Sequence, residues 1–175
     1  MERTLETAIV LVLRTAAPFD AVLAEFNPST FGKGIPFHIT LLYPFAARDD
    51  LTDALVMDVR AFFAARAPLA FALTRIEEFP GVIYAAPEPV DPMRATMHAL
   101  HARFPDLPPY GGVFEEVILH ATLTEEPADQ QRARNEIERR LAPHLPREFR
   151  LDAATLLEEF EPDRWREREE LPLGG

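Results

Sequence analysis

Two short segments hold the residues best suited to chemistry. Phe37-His38-Ile39-Thr40-Leu41 and Leu119-His120-Ala121-Thr122-Leu123 each set an imidazole two positions before a hydroxyl in an otherwise apolar stretch. Side chains alternate along a strand, so His38, Thr40 and Leu42 are predicted on one face and Ile39, Leu41 and Tyr43 on the other. By the same count His120, Thr122 and Thr124 share a face opposite Ala121 and Leu123. Burying such groups without partners is costly. If the two segments converge, they offer two titratable rings and two hydroxyls to a single anion of phosphate size. Cleaving a phosphodiester requires a proton to leave the attacking oxygen and another to reach the leaving oxygen, on opposite sides of phosphorus. An unperturbed imidazole titrates at roughly 6.5, so one ring can be neutral and the other protonated, serving as base and acid with no metal and no cofactor. Thr40 and Thr122 would hydrogen-bond the non-bridging oxygens, where charge develops.

A single His-x-Thr in a strand reads most simply as a satisfied buried histidine. Recurrence changes this, because the two segments belong to an internal repeat with an offset of about eighty residues. Each leads into a helical pattern, in which Leu55 and Val59 answer Ile137 and Leu141. Thr74-Arg75-Ile76-Glu77-Glu78-Phe79-Pro80 then answers Thr155-Leu156-Leu157-Glu158-Glu159-Phe160-Glu161-Pro162. The other candidates are weaker. His98 and His101 could approach a metal at i and i+3 but read as a solvated helix face, and His144 reads as loop. Glu115-Glu116 and Glu125-Glu126 read as surface charge, and Gly32-Lys33-Gly34 lacks the Gly-Lys-Ser/Thr ending of a phosphate-binding loop.

The elements that must position these residues follow from periodicity and turn chemistry. Strands are predicted over 7–14, 37–43, 69–78, 82–86, 116–124 and 149–160, with a last extended piece around Trp165. Helices are predicted over 18–26, 51–65, from Asp91 as N-cap with Pro92 at the first position to about Phe104, and from 127 to about 141. Residues 27–36 read as a loop, and 105–112 as a stiff one. No linker or low-complexity tract divides the chain, so one domain over 1–175 is expected, built as two pseudo-equivalent lobes.

Composition narrows the classes further. The 175 residues contain no cysteine, which excludes disulfides, a thiolate nucleophile and cysteine-held metal. A net charge of -11, with Lys33 the sole lysine and the arginines dispersed among acids, suits a small ligand or one end of a polymer rather than long duplex nucleic acid. The longest N-terminal apolar run, 8–13, is too short for a membrane span and lacks the charged flank and small-residue cleavage site of a signal peptide. A cytoplasmic monomer without membrane contact is the expectation.

The duplicated motif resembles that of the two-histidine (2H) phosphoesterase superfamily, with its repeated His-x-Thr-x. The chain is most similar to the bacterial 2′-5′ RNA ligase branch, through Leu42-Tyr43-Pro44-Phe45, Phe79-Pro80-Gly81-Val82 and Pro108-Pro109-Tyr110-Gly111-Gly112. Leu119 stands where relatives often carry proline. The resemblance implies an α+β fold in which antiparallel sheets with outer helices form a central cleft. It also implies catalytic roles for His38 and His120, and phosphate binding by Thr40 and Thr122. The activity implied is opening of a cyclic phosphate on a nucleotide or RNA terminus, with 2′-5′ ligation or cleavage, or simple binding of a nucleotide or RNA end, as alternatives. Phe45, Tyr84 and Tyr110 are candidates to stack on a base, and Lys33 to meet a second phosphate.

Overall fold

The computed structural model describes residues 3–174. In chain order the elements are β1 (Thr7–Val12), α1 (Phe19–Phe26), α2 (Pro28–Gly32), β2 (His38–Leu42), α3 (Asp53–Ala64), β3 (Leu69–Phe79), β4 (Val82–Glu88), α4 (Asp91–Arg103), β5 (Ala121–Glu125), α5 (Gln130–Leu141), β6 (Arg147–Leu151), β7 (Ala153–Glu161) and β8 (Arg164–Pro172). The fold is α+β. All strands join one antiparallel sheet in the order β6-β3-β4-β5-β2-β1-β7-β8. The two motif strands, β2 and β5, lie side by side at its centre, meeting at the single pair Ile39 and Ala121. The two lobes are thus halves of one continuous sheet, joined at a narrow seam.

The repeat maps onto this sheet with an exchange. In the first copy β1, α1, β2, α3 and β3 follow one another, and β4, α4, β5, α5 and β7 answer them. Yet β3 pairs with β4, and β7 pairs with β1. The last strand of each copy is therefore donated to the half built around the other copy.

Four helices, α1, α3, α4 and α5, pack buried apolar side chains into the main core, whereas α2 buries none. In α3, Val56, Val59, Phe62 and Phe63 are buried, and the helix starts where the Thr52 hydroxyl accepts from the Leu55 amide at 3.2 Å. Met57, apolar and within the same helix, is exposed. In α5, Ala133, Ile137 and Leu141 recur at i, i+4 and i+8 behind an Asp129 cap on the Arg132 amide. The N-terminus of α4 differs from expectation: Asp91 is its first helical residue and caps no amide, Val90 holding the cap position. Three further boundaries shift. Residues 27–36 contain the single-turn α2, begun by Pro28, and the predicted strand 149–160 is split at Asp152 into β6 and β7. Residues 116–120 are not strand, so β5 starts just after His120. No helix among the described residues is long and apolar enough to cross a membrane.

β1 is buried on both faces. Ile9, Leu11 and Leu13 enter the main core under the helices, while Ala8, Val10 and Val12 form a second cluster with Leu157, against which Ile35, Tyr43 and Trp165 pack. That second face is the one that carries the cleft.

Candidate active site

Each motif strand contains a β-bulge at the same place. Opposite Ile9 and Val10 of β1 stand Leu42 and Thr40 of β2, so Leu41 is the extra residue. Opposite Ile83 and Tyr84 of β4 stand Thr124 and Thr122 of β5, so Leu123 is extra. A bulge interrupts the two-residue alternation. The predicted faces therefore hold through Thr40 and Thr122 and fail beyond them. Leu42 joins Ile39 and Leu41 in the main core, and Thr124 is buried with its hydroxyl donating to the Phe26 carbonyl of α1 at 2.6 Å. Tyr43 and Glu125, the next residues, swing to the cleft side.

On that side His38, Thr40, His120 and Thr122 line one small cavity of about 90 Å³, together with Tyr110, Glu125, and Asn27, Thr30 and Phe31 from around α2. Both imidazoles are half-buried and tethered alike. His38 Nδ1 donates to the Pro36 carbonyl at 2.8 Å, and His120 Nδ1 donates to the Ile118 carbonyl at 2.6 Å. A carbonyl can only accept, so Nδ1 keeps its proton, and in the neutral ring Nε2 is the free base. The rings are further fixed from behind. Phe79 and Tyr84 set their rings edge-on to His120, with centroids at 5.3 and 5.4 Å. His101 Nε2 donates to the Leu41 carbonyl at 2.8 Å, tying α4 to the bulge of β2. That bond removes His101 from the solvated face assigned to it from sequence.

Burial lowers the proton affinity of both imidazoles. For His38 desolvation dominates, the Pro36 carbonyl opposes it, and a charge on His120 lowers it further. For His120 desolvation again dominates, opposed by the Ile118 carbonyl and by the Glu125 carboxylate. Tyr110 is driven the other way: burial, then Glu125, raise its phenol, against a hydrogen bond from Thr40. The phenol stays protonated and can donate.

A second cavity of about 410 Å³ opens beside His120, lined by Phe79, Val82, Tyr110, Phe114, Val117 and Ile118, and by one acid, Glu116. Phe114 and Ile118 are exposed there although large and apolar. Tyr110 serves both cavities. It sits at φ 51° and ψ 33°, a left-handed conformation uncommon for a side chain of this size, secured by its amide donating to the Tyr43 carbonyl at 2.6 Å. Gly111 and Gly112 follow at φ 64° and 77°, which only glycine adopts freely.

The remaining substrate-contact candidates lie elsewhere. Phe45 is sealed in the core with its edge on Phe104, leaving no face for a base. Lys33 pairs with Asp163 at 2.9 Å and lines neither cavity. Tyr84 is buried behind His120 with its hydroxyl donating to Glu77, so it supports the ring. Sequence reasoning missed Thr30 and Phe31, hidden among turn residues, and Phe114 and Ile118, in a stretch read as loop and strand. It also assigned Glu125 to the surface, because alternation without a bulge gives no reason to turn it inward.

Duplicated strand histidines meeting at the seam of one antiparallel sheet define a class of α+β protein with a central two-histidine cleft. The chain belongs to the 2′-5′ RNA ligase superfamily, whose family profile matches residues 12–161. Among solved structures, TT0787 of Thermus thermophilus matches with a TM-score of 0.60 at 20% identity, over 99% of each chain. Escherichia coli LigT complexed with NADP+ gives 0.55 at 12% identity, over 99% of this chain and 100% of LigT. Its complex with 3′-AMP gives 0.54 at 11% identity with the same coverage. At these identities the likeness is one of fold. No match is found among curated proteins.

Proposed function

We propose that this protein is a metal-independent phosphodiesterase that opens a cyclic phosphate on a nucleotide or RNA terminus, with His38 and His120 as its proton-transferring pair. The observation that carries this reading is the matching tether of the two rings. Both Nδ1 atoms are held by the carbonyl two residues back, so both Nε2 atoms remain for a ligand in the shared cavity. Water attacks phosphorus in line with the leaving ribose oxygen. One neutral ring takes the proton of the water, and the other, protonated, delivers a proton to the leaving oxygen. Thr40, Thr122 and the Tyr110 phenol offer neutral donors to the non-bridging oxygens.

The apolar cavity beside His120 suits a base, which stacks on aromatic side chains whatever its identity. Among the described residues no lysine or arginine lines either cavity, whereas Glu116 and Glu125 do. Such a cleft favours a substrate with one phosphate in reach over a chain of them. The LigT complexes with NADP+ and 3′-AMP are both with small nucleotides, which is in keeping with this reading. The test is turnover by the purified protein, with EDTA present, of a panel of nucleoside 2′,3′-cyclic phosphates, cyclic-phosphate RNA ends and 2′-5′ dinucleotides. Cleavage of the cyclic phosphates is expected. Loss of all activity on metal removal, or turnover of the 2′-5′ dinucleotides alone, would overturn the reading.

A further inference from the structure

Stacking on aromatic rings accepts any base, so selection among bases has to come from a polar group at the same cavity. The apolar cavity has few. His120 and Tyr110 line it, but both line the phosphate cavity too, and the chemistry proposed above engages their polar atoms there. Glu116 is the one remaining polar side chain, and it lines the apolar cavity alone. Among the described residues no lysine or arginine lines that cavity with it. The chain bends at Glu115 and Glu116, which sets Glu116 among Phe114, Val117 and Ile118 in the cavity wall. Glu115, equally exposed, lines neither cavity.

We propose that Glu116 is a specificity-determining residue that selects guanine, so that the preferred substrate is a guanosine 2′,3′-cyclic phosphate, free or at an RNA terminus. The inference deepens the cyclic-phosphate reading above and rests on it.

A carboxylate only accepts hydrogen bonds, and its two oxygens take two parallel donors at once. Guanine matches this. Its pairing edge, the edge along which unstacked bases are read, places a ring N–H beside an exocyclic amino group. Adenine and cytosine set one amino group beside an acceptor nitrogen, and uracil sets one N–H between two carbonyl oxygens. Each of these offers the carboxylate one bond and turns at least one lone pair against its charge. The space is adequate, since about 410 Å³ lies within the roughly 300–1,000 Å³ of small-molecule sites. A matched pair of this kind discriminates against a wrong base by about 5- to 150-fold, and the exposure of Glu116 places it in the lower part of that range. Its charge also acts on the phosphate of every nucleotide alike. The readout is therefore the ratio between bases rather than any single rate.

The experiment measures kcat/KM on the 2′,3′-cyclic phosphates of guanosine, inosine, adenosine, cytidine and uridine for wild type, Glu116→Gln and Glu115→Gln. Inosine keeps the ring N–H of guanosine and lacks only the amino group. Wild type should prefer guanosine to adenosine by about tenfold, with inosine between them. Glu116→Gln presents one donor and one acceptor, which suits the adenine edge, so the preference should shrink or invert while the adenosine substrate is still cleaved. Glu115→Gln should keep the wild-type order. Equal rates on all bases in wild type, inosine matching guanosine, or an unchanged order in Glu116→Gln would overturn the role of Glu116 with the cyclic phosphodiesterase activity intact. Titration calorimetry with guanosine and adenosine 3′-monophosphates makes the same comparison without turnover. Should no cyclic phosphate be cleaved, the proposed activity fails, while tighter binding of the guanosine monophosphate that Glu116→Gln abolishes still upholds the selection of guanine. Equal binding of the two monophosphates, or binding of neither, overturns that selection as well.

Discussion

At the scale of residues, the proton transfers proposed for the cleft fall to two imidazoles whose burial lowers their proton affinity. Replacing either His38 or His120 by glutamine should lower kcat by about 10²- to 10⁴-fold, the range for loss of a general acid or base. Near wild-type turnover in both variants would sink the pair as catalysts. The same rings make stability depend on pH. Each has a folded-state proton affinity below its ordinary value of 6.5, so the unfolded chain binds the extra proton as pH falls. Their contribution is complete above pH 6.5 and declines below it, levelling once the folded rings are themselves protonated. Glu158 acts in a lower window. Burial opposes its ionisation, but Arg168 and Arg166 overcome this and hold it below its ordinary 4.5, so its stabilisation is lost as pH falls past that value. Urea melts across pH should show two steps of loss, and His38→Gln should reduce the upper one alone. Both histidines and both threonines were legible in the sequence because strand alternation holds as far as Thr40 and Thr122. Tyr43 and Glu125 were not, because a bulge depends on the strand opposite.

At the scale of elements, β2 and β5 must lie close for the rings to share a ligand, and they meet at only one residue pair. Ala121 is fully buried there, facing the helices and away from the cleft. Ala121→Val adds volume where there is none to spare, and should cost about 1–3 kcal/mol while forcing the strands apart. The expected result is a lower urea midpoint together with a reduced kcat. A variant as stable and active as wild type would mean that the seam tolerates separation. Helices with strong apolar stripes, such as those of α3 and α5, were readable from spacing because the period of 3.6 is set by the helix itself. The single turn of α2 was not, since Asn27, Pro28, Ser29 and Thr30 serve equally well in a loop. Nor was the break at Asp152, where β6 and β7 part to opposite halves of the sheet within a few residues.

At the scale of the whole molecule, the exchange of β3 and β7 binds the two copies of the repeat into one cooperative unit. A chain cut at the turn Pro80-Gly81 separates the copies cleanly in sequence but strips β1 of β7 and β3 of both β4 and β6. Fragments 1–80 and 81–175 should each lack a cooperative thermal transition. Mixed, they should regain it along with the circular dichroism of the intact chain. A sharp melt by either fragment alone would show that its half is self-sufficient. The duplication could be read from matching segments, but which half receives each final strand could not, because β3 and β7 match in sequence as well as in role.

That exchange also sets a schedule for synthesis. β1 is among the first elements made, and its strand partner β7 begins only at Ala153. At about 5–20 residues per second, the ribosome leaves one edge of a strand apolar from Ala8 to Val12 without its partner for roughly 7 to 30 s. During that interval Ala8, Val10 and Val12 have no Leu157 to pack against. The nascent chain, rather than the finished protein, is then the form most open to capture by a chaperone or by another copy of itself.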